Sequence, residues 1–452
     1  MNFWKNLILG AVICGLIQLL PAGSAFAVGS GGFENATFSA SSLAQSGATV
    51  AQADEAAAIS YNPAGLAYLP GIKGQSSAAF LSVFTHREAP NNDSQWSSGT
   101  LNLVPTAHLS MNPGSLLGDR VSLGIGSDSP FGLSNKWNSN QSHVHYAGWR
   151  NYLKMYTIKP VASIKLHEKL SVGGGPIYYR IFDFGGIQAY PNAAVFGPGT
   201  PDGQVRLNLA GNTWGWHFGA LAKPHEKHQF GFYFRSPATV RTRGQIKVER
   251  STASGNFETG GKAKIDLPLN FTFGYAFKPT SKWTVETDLG YTRWAAHKRL
   301  FIDADPVSPA DDAILSAIGK ADKDYSDSWG LHFGGNYKVN TKLTLRAGSV
   351  FYWAAVPKDH YIPAVPDSNS LGASLGGSYM FTKNFGLELA YFSRFWFRRQ
   401  IDNTISEALG TTVDGRYSSI MQSFMLTFKY GFDDLSVPKP KGDEKGLRKP
   451  AA

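Results

Sequence analysis

The feature that most limits the fold of this chain is an alternation of apolar and polar residues that recurs along most of its length. Phe271, Phe273 and Tyr275 alternate with Thr272 and Gly274, and the same period returns at 385–391 and 424–432. This period places apolar side chains on one face of a β-strand and polar ones on the other. The segments run for about ten residues or more, the length of a tilted membrane-crossing strand, although a soluble β-sandwich shows the same alternation.

The first 27 residues have the pattern of a secretory signal peptide. Lys5 supplies the positive charge, an apolar run extends from Leu7 to Leu20, and Ala25-Phe26-Ala27 is a small-x-small cleavage site. The alternative is a membrane anchor, but the run is shorter than the ~20 residues that a spanning helix needs. The only cysteine, Cys14, lies within this segment, so the sequence predicts a mature chain without thiol or disulfide chemistry.

No long apolar run follows residue 27, so a membrane-embedded chain of this sequence must close its backbone hydrogen bonds as a β-barrel. The 49 glycines and the 13% aromatic content suit strand bends and interfacial girdles. We predict an all-β transmembrane barrel over 72–432. It has about fourteen antiparallel strands. We place these strands near 76–86, 101–111, 119–128, 151–165, 169–183, 214–223, 227–236, 261–277, 280–293, 325–339, 342–352, 369–382, 385–399 and 413–432.

The connections between the predicted strands alternate in length. Short turns should face the periplasm and long loops the outside. The predicted long loops are 129–150, 184–213, 295–324 and 400–412, and the segment 308–320 has the pattern of a short amphipathic helix. Residues 28–71 differ from the rest because they are rich in Ala, Ser and Gly, which predicts short helices and turns in a compact segment. Residues 433–452 are basic and poor in apolar residues, which predicts a disordered tail.

Charge and motif content argue against several functional classes. The formal net charge is +10, but no run of five basic residues occurs, so nucleic acid is not an expected partner. The pairs His143-x-His145 and His225-x-x-His228 have spacings that a metal could use, yet no carboxylate or cysteine set completes either of them. We find no phosphate-binding motif and no nucleophile–base set. The sequence therefore predicts a protein without metal, cofactor or catalysis.

Ordered motifs along the chain resemble the FadL family of outer-membrane transporters of long-chain fatty acids and other hydrophobic compounds, from about Gly31 to Phe432. The N-terminal match is the most specific. The motifs are Gly32-Phe33, Ser39, Leu43, Ala53-Asp54-Glu55-Ala56, Asn62-Pro63-Ala64-Gly65-Leu66, Pro130-Phe131-Gly132-Leu133 with Trp137, Phe234-Arg235-Ser236, Asp288 with Thr292 and Trp294, Leu343-Thr344-Leu345-Arg346-Ala347-Gly348, and Pro363-Ala364-Val365-Pro366-Asp367.

This resemblance implies a fourteen-stranded barrel whose lumen is closed by residues 28–71 as a hatch. It also implies a route in which ligand meets a hydrophobic groove among the outer loops, reaches a tighter pocket above the hatch, and leaves sideways at an inward kink of the third strand. The implied location is the outer membrane of a Gram-negative bacterium, as a monomer that contacts outer-membrane lipid and is inserted by the barrel-assembly machinery. The tail, 433–452, is then periplasmic.

Several residues are candidates for the hatch and the side opening. The family counterpart of Phe33 points into the tight pocket, and ordinary packing in the hatch is the alternative. Asn62, Pro63 and Ala64 form a turn that could also latch the hatch to the wall. Gly124 and Gly126 lie in the third predicted strand, where glycine marks a bend that agrees with the family's kink.

Other candidates would bind the ligand. A fatty acid carboxylate needs a cation, for which Arg180 and Lys298 are candidates, with ordinary salt bridges as the alternative. Phe131, Leu133 and Trp137 lie in a long outer loop and could form an apolar ligand groove or simply pack on each other.

Together these features predict passive transport of long-chain fatty acids or similar hydrophobic molecules through a hatch-gated barrel. Aromatic or alkane hydrocarbons are the alternative ligands, and loss of affinity for a methyl ester would identify a fatty acid channel. A structural or adhesive surface barrel is the alternative of another class. Deletion of 28–62 should leave the function of such a structural barrel intact and should abolish that of a gated channel.

Overall fold

A computed structural model describes residues 32–112, 114, 119–190, 198–249, 256–305, 307–308, 311–312, 315–316, 319–403 and 412–432. The predicted signal peptide and the predicted tail lie outside the described residues, as does much of the predicted helix at 308–320. Among the described residues, no helix has the length and apolar character needed to cross a membrane.

The described residues form twenty strands, two short α-helices and several 3-10 turns. The helices are α1 (Ala40–Ala44) and α2 (Ser142–His145), and the 3-10 turns are Ala56–Ser60, Pro63–Tyr68, Trp294–Ala296 and Lys358–His360. The strands are β1 (Ile72–Glu88), β2 (Ser94–Trp96), β3 (Asn102–Met111), β4 (Val121–Ser127), β5 (Leu133–Lys136), β6 (Arg150–His167), β7 (Leu170–Tyr190), β8 (Gly203–His225), β9 (His228–Arg235), β10 (Ala238–Glu249), β11 (Phe257–Leu267), β12 (Asn270–Phe277), β13 (Trp283–Thr292), β14 (Arg299–Ala304), β15 (Lys320–Asp322), β16 (Ser328–Lys338), β17 (Leu343–Tyr352), β18 (Ser370–Met380), β19 (Phe385–Ile401) and β20 (Gly415–Phe432).

These strands close one antiparallel barrel. Within the described residues the wall has fourteen strands, because β5, β10, β12 and β14 continue β4, β9, β11 and β13, and the three-residue strands β2 and β15 pair only with β1 and β14. The ring closes where β1 pairs with β20 over its full length, from Ile72 opposite Phe432 to Glu88 opposite Arg416. Closure removes the unpaired edge that an open sheet exposes, as a membrane requires. The predicted fold class is therefore confirmed.

The alternation seen in the sequence divides the wall into an outer and an inner face. Phe273, Leu289, Phe333 and Leu375 are all more than 40% exposed on the outer face, where a membrane would cover them. Their strand neighbours, such as Asp288, are buried toward the lumen. The outer face thus has the apolar surface of a transmembrane barrel.

The prediction was wrong where charged side chains concealed the strand pattern. The predicted loop 184–213 is largely strand, because β7 extends to Tyr190 and β8 begins at Gly203. Strand β10 was missed, since Arg241 and Arg243 occupy its outward positions while Val240 and Thr242 point inward and are buried. Together β7, β8, β10 and β11 form an extension of the wall, here called the wall extension, which encloses an apolar cluster around Leu207 and Ile246. The predicted loop 295–324 likewise contains β14 and β15.

Residues 32–71, here called the hatch, lie within the barrel lumen. Hydrogen bonds run from the hatch to strands on opposite sides of the wall: Ala40 N donates to Thr427 Oγ1 of β20 at 2.8 Å, and the side chains of Ser46 and Ser374 of β18 are 2.7 Å apart. On the other side, Asn62 Nδ2 donates to Ala220 O of β8 at 3.0 Å. A segment bonded on several sides of a closed wall occupies its interior.

Two wall carboxylates hold the hatch backbone. Asp288 Oδ2 accepts hydrogen bonds from the N–H groups of Thr49 and Val50 at 3.0 and 3.1 Å. Glu286 accepts from the next two N–H groups, those of Ala51 and Gln52, at 2.6 and 3.0 Å. Both acids are buried, so water does not compete for these hydrogen bonds. Four consecutive hatch residues are thereby fixed to β13.

Small residues allow the hatch to approach the wall closely. At Gly348 of β17, a Cβ would lie 2.6 Å from the carbonyl oxygen of Gln45, next to α1. We expect Gly348→Ala to displace α1, because overpacking a filled interface typically costs about 1–3 kcal/mol. Limited proteolysis of the folded barrel should then cut the hatch faster. Gly290→Ala is the control, because its nearest neighbour, Thr272 Oγ1, is 3.5 Å from the new Cβ. Equal protease resistance of the two variants would contradict this prediction.

Candidate functional site

The outer loops and the extended strands enclose a cavity of about 280 Å³ above the hatch. Its surface is mainly apolar, as is usual for small-molecule sites. We call it the outer cavity. Its apolar lining includes Phe33, Leu133, Leu153, Phe184, Ile187, Val205, Leu207, Ile246, Ile265, Leu300, Ile302, Leu315, Tyr325, Ile362 and Val365. These side chains come from the hatch, the wall extension and the loops, so the cavity exists only in the folded assembly.

Phe33 forms part of the floor of the outer cavity. Its ring packs edge-to-face on Trp294 at 4.7 Å between ring centres, and on Phe131 at 5.9 Å. The side chain is buried yet lines the cavity. The residue that the resemblance placed in a tight pocket therefore lies between that pocket and the rest of the hatch.

One buried lysine lines the outer cavity and was missed by the sequence analysis. Lys323 is only 7% exposed, and no acidic side chain in the described part of the chain forms an ion pair with it. Burial lowers the pKa of Lys323 to about 8. The pKa of His297, which also lines the cavity, is lowered to about 4 by burial and by the charge of Lys323. At neutral pH the cavity thus holds one ammonium group and a neutral imidazole.

The predicted cation, Lys298, lies beside this lysine but does not line the cavity. The N–H of Lys323 donates to the carbonyl oxygen of Lys298 at 2.7 Å, whereas the side chain of Lys298 is exposed. The loop that brings the two residues together had no recognisable strand pattern. Sequence reasoning therefore identified this part of the chain but did not identify Lys323.

Arg180 does not reach the outer cavity. Its neighbours in β7, Tyr179 and Ile181, are fully buried inside the barrel. Successive strand residues point to opposite faces, so Arg180 lies on the outer face. The structure does not support it as the residue that binds a carboxylate in the outer cavity.

The three apolar loop candidates are divided between the cavity and the core. Leu133 lines the outer cavity. Phe131 and Trp137 are fully buried, and Trp137 Nε1 donates to Pro363 O at 3.4 Å. The expected exposed groove is therefore wrong for these two residues, because the loops fold over them and pack them into the apolar core.

The third strand of the wall is β4, and it leaves the wall just beyond Gly124 and Gly126. A Cβ on Gly126 would lie 2.8 Å from Ile59 of the hatch, so the wall and hatch are in contact there. β3 pairs with β4 only over Ala107–Met111, and within the described residues the other half of β3 pairs with β1 alone. After Ser127 the chain turns inward, which leaves a break in the ladder between β3 and β5.

The inward bend makes direct backbone contact with the hatch. Asn35 N donates to Pro130 O at 2.8 Å, and Gly132 N donates to Phe33 O at 2.9 Å. Glu34 and Phe131 are partners in an isolated antiparallel bridge. The start of the hatch and the bend of the third strand therefore form one hydrogen-bonded unit.

Asn62, Pro63 and Ala64 join the hatch to β7 and β8. Asn62 Nδ2 donates to Val50 O at 2.7 Å and to Ala220 O at 3.0 Å, while Asn62 Oδ1 accepts from Ala64 N at 3.2 Å. Ala64 O accepts from Ser171 Oγ of β7 at 2.8 Å. The turn and the contact with the wall, two roles that the sequence left open, are both present in the geometry.

The histidine pairs do not assemble a metal site. His145 Nε2 lies 2.9 Å from Asp202 Oδ2, and His143 packs on Trp137. His228 Nδ1 lies 2.8 Å from the hydroxyl of Tyr275 on the outer face. Among the described residues, no group of three or more His, Cys, Asp or Glu side chains is arranged to hold a metal.

Comparison with known proteins places this geometry among related barrels. The model of the outer membrane protein transport protein family (OMPP1/FadL/TodX) matches residues 21–432. The long-chain fatty acid transport protein of Escherichia coli O6:H1 is 21% identical over 392 residues, which are 80% of this chain and 86% of that protein.

Solved structures share the fold at low sequence identity. A FadL homologue from Pseudomonas aeruginosa has a TM-score of 0.77 at 18% identity, covering 89% of this chain and 100% of that one. The toluene transporter TodX of P. putida has a TM-score of 0.64 at 17% identity, covering 88% and 99%. These structures therefore share the fold of this chain.

Proposed function

We propose that this chain, which belongs to the outer membrane protein transport protein family (OMPP1/FadL/TodX), passes long-chain fatty acids through the outer membrane by a route that starts in the outer cavity. It is an outer-membrane β-barrel of a family that carries hydrophobic molecules. The identity of the ligand, the residues that bind it and the absence of a catalytic step are parts of the proposal.

The buried ammonium of Lys323 is the observation that favours a fatty acid. An unpaired charge in an apolar cavity is costly, and a ligand carboxylate would relieve that cost with a charge-assisted hydrogen bond. The lining of the outer cavity would take the acyl chain, at roughly 0.8 kcal/mol for each methylene that it buries. A ligand with an apolar chain and one carboxylate fits both features.

The size of the outer cavity favours a second candidate, a small aromatic hydrocarbon. Its volume of about 280 Å³ admits a single-ring molecule whole but only part of a long acyl chain. One of the similar solved proteins is a toluene transporter. A hydrocarbon, however, would leave the ammonium of Lys323 without a partner, so we rank it second.

In the proposed route, Phe33 closes the lower end of the outer cavity and the break between β3 and β5 is the side opening. The hydrogen bonds between residues 33–35 and 130–132 mean that a movement of the hatch must alter the bend beside that opening. Asn62, Pro63 and Ala64 hold the hatch to β7 and β8 and serve as its pivot. Gly124 and Gly126 allow the hatch to pack against β4 below the bend.

We further propose that the barrel works as a monomer that the assembly machinery inserts. The pairing of β1 with β20 closes the barrel, so its first and last strands offer no free edge to which a second copy could add. The apolar outer face would contact lipid around the barrel.

Uptake of radiolabelled oleate by cells that lack their own transporter tests the proposal. We expect uptake to rise with expression of this protein and to fall several-fold in Phe33→Ala, which removes part of the apolar lining of the outer cavity, and in Asn62→Ala, which removes buried hydrogen bonds worth about 1 kcal/mol each. Asn91→Ala, in an exposed loop, is the matched control.

Oleate uptake that is the same in all three variants would contradict the roles proposed for Phe33 and Asn62. A folded, heat-modifiable barrel that gives no oleate uptake would contradict the fatty acid assignment. Toluene uptake in the same cells would then support the hydrocarbon alternative.

A further inference from the structure

A second, smaller cavity lies on the other side of the floor formed by Phe33. Its volume is about 80 Å³, and its lining includes the polar side chains of Glu34, Ser60 and Arg235. Phe33 lines the outer cavity, whereas the next residue, Glu34, lines this inner cavity. Residues 33 and 34 are thus part of the partition between the two cavities.

The inner cavity contains a buried ion pair. Arg235 Nη2 lies 2.5 Å from Glu34 Oε1, and the two side chains are 4% and 9% exposed. Thr292 Oγ1 donates to the second oxygen of Glu34 at 3.2 Å. Removing one partner of a buried pair is strongly unfavourable, but exchanging one carboxylate for another leaves the arginine satisfied.

Arg235 contacts both residues of the β-bridge that joins the hatch to the bend after β4. Its guanidinium lies 4.6 Å from the ring centre of Phe131, and Phe131 is the bridge partner of Glu34. One cation therefore binds the carboxylate on the hatch side and the aromatic ring on the side of the third strand. Loss of the Glu34 contact would weaken the link at the point where the wall is broken.

The inner cavity offers further donors that the chain does not use. Arg235 Nε and the hydroxyl of Tyr233 have no hydrogen-bond partner among the described residues, although both side chains are at least 95% buried. Both residues line the inner cavity. Buried polar groups are normally hydrogen-bonded, so these two donors indicate room for an additional acceptor such as a carboxylate oxygen.

We infer that Arg235 is a second carboxylate-binding site, occupied in this structure by Glu34, and that an incoming ligand carboxylate replaces Glu34 there. Phe33 and Glu34 together imitate such a ligand, with an apolar group in the outer cavity and a carboxylate on the arginine. Replacement frees residues 33–35 from 130–132, which couples arrival of the ligand to the side opening. This inference rests on the proposed fatty acid function.

Glu34→Gln tests the site by removing the competing carboxylate while keeping the size of the side chain. With purified protein in lipid nanodiscs, we expect oleate affinity relative to methyl oleate to rise about tenfold, the effect of one charge-assisted hydrogen bond. Adding Arg235→Gln should cancel this rise. This double variant replaces the ion pair with two neutral amides, so no buried charge is left alone. Glu258→Gln, in an exposed ion pair with Lys247, is the matched control.

Hydrogen exchange gives a second readout that does not depend on affinity. The amides of Asn35 and Gly132 make the bonds between the hatch and the bend. Oleate should speed their exchange in the wild type, and methyl oleate should not. In Glu34→Gln these amides should exchange faster without any ligand, because the ion pair between Glu34 and Arg235 is already lost.

The outcomes separate this inference from the proposed function. Suppose that the wild type binds oleate but Glu34→Gln changes neither the ratio of oleate affinity to methyl oleate affinity nor the amide exchange. Arg235 is then not a ligand site, while the fatty acid function stands. If the wild type binds neither oleate nor methyl oleate, the proposed function is wrong and the inference fails with it. If Glu34→Gln raises the ratio of oleate affinity to methyl oleate affinity, and adding Arg235→Gln cancels the rise, both the proposed function and the inference are supported.

Discussion

Replacing Lys323 with methionine is expected to lower oleate affinity by about tenfold to a hundredfold, the contribution of one hydrogen bond to a charged group. Methionine keeps the length and apolar stem of the side chain but removes the ammonium. The affinity for methyl oleate should stay the same or rise slightly, because an uncompensated buried charge has been removed. Equilibrium binding of both ligands to the purified barrel measures the ratio directly.

Lys298→Met is the matched control for this substitution. Lys298 lies beside Lys323, and its backbone carbonyl holds the backbone of Lys323, but its own side chain is exposed outside the cavity. The control should therefore bind both ligands like the wild type. Equal losses in the two variants would mean that general basic charge at the barrel mouth, rather than the buried ammonium, attracts oleate.

The same ammonium predicts how oleate binding depends on pH. Burial lowers the pKa of Lys323 to about 8, so the group is charged below that pH and becomes neutral as the pH rises through it. Oleate affinity should therefore fall between pH 7 and 9, because above about pH 8 the lysine must take up a proton before it can pair with the carboxylate. Methyl oleate affinity should not change over this range, and Lys323→Met should remove the pH dependence of oleate binding.

The wall could be predicted from the sequence because its physical cause is local. Strands such as β12 and β19 carry apolar residues at every second position on the lipid side, and this pattern is visible without any knowledge of their partners. β10 was missed because it extends with outward arginines instead of apolar side chains. A strand segment that lies beyond the lipid-facing part of the wall does not need apolar residues at every second position. The sequence pattern therefore does not reveal such a strand.

The candidate site could be predicted only in part, because its contacts join residues far apart in the chain. The motifs identified Phe33 and Asn62, whose positions in the structure follow from the hatch as a unit. Lys323 could not be identified, because its burial depends on β14, β15 and the wall extension folding over it. Arg180 was a poor choice because its register in β7, set by the neighbouring buried residues, directs it outward.

Replacing both wall carboxylates that hold the hatch, Glu286→Ala with Asp288→Ala, is expected to open the barrel. Four hatch N–H groups, those of residues 49–52, would lose their acceptors at once. Each buried unsatisfied group costs about 1–3 kcal/mol, so the closed position of the hatch loses several kcal/mol. The backbone ladders of β13 with β12 and β16 do not involve these side chains, so the wall should still fold.

The expected result is a mean conductance in planar bilayers at least about tenfold above the wild type, since a loss of 1.4 kcal/mol already shifts a two-state equilibrium tenfold. Cells should also become sensitive to hydrophilic antibiotics too large for general porins. Glu258→Ala with Asp305→Ala is the matched control, because it removes two exposed carboxylates from the wall extension and its loop. A heat-modifiable double variant that conducts like the wild type would show that the hatch is held mainly by its other contacts. The turn at Asn62 and the ion pair between Arg235 and Glu34 would then be the next contacts to test.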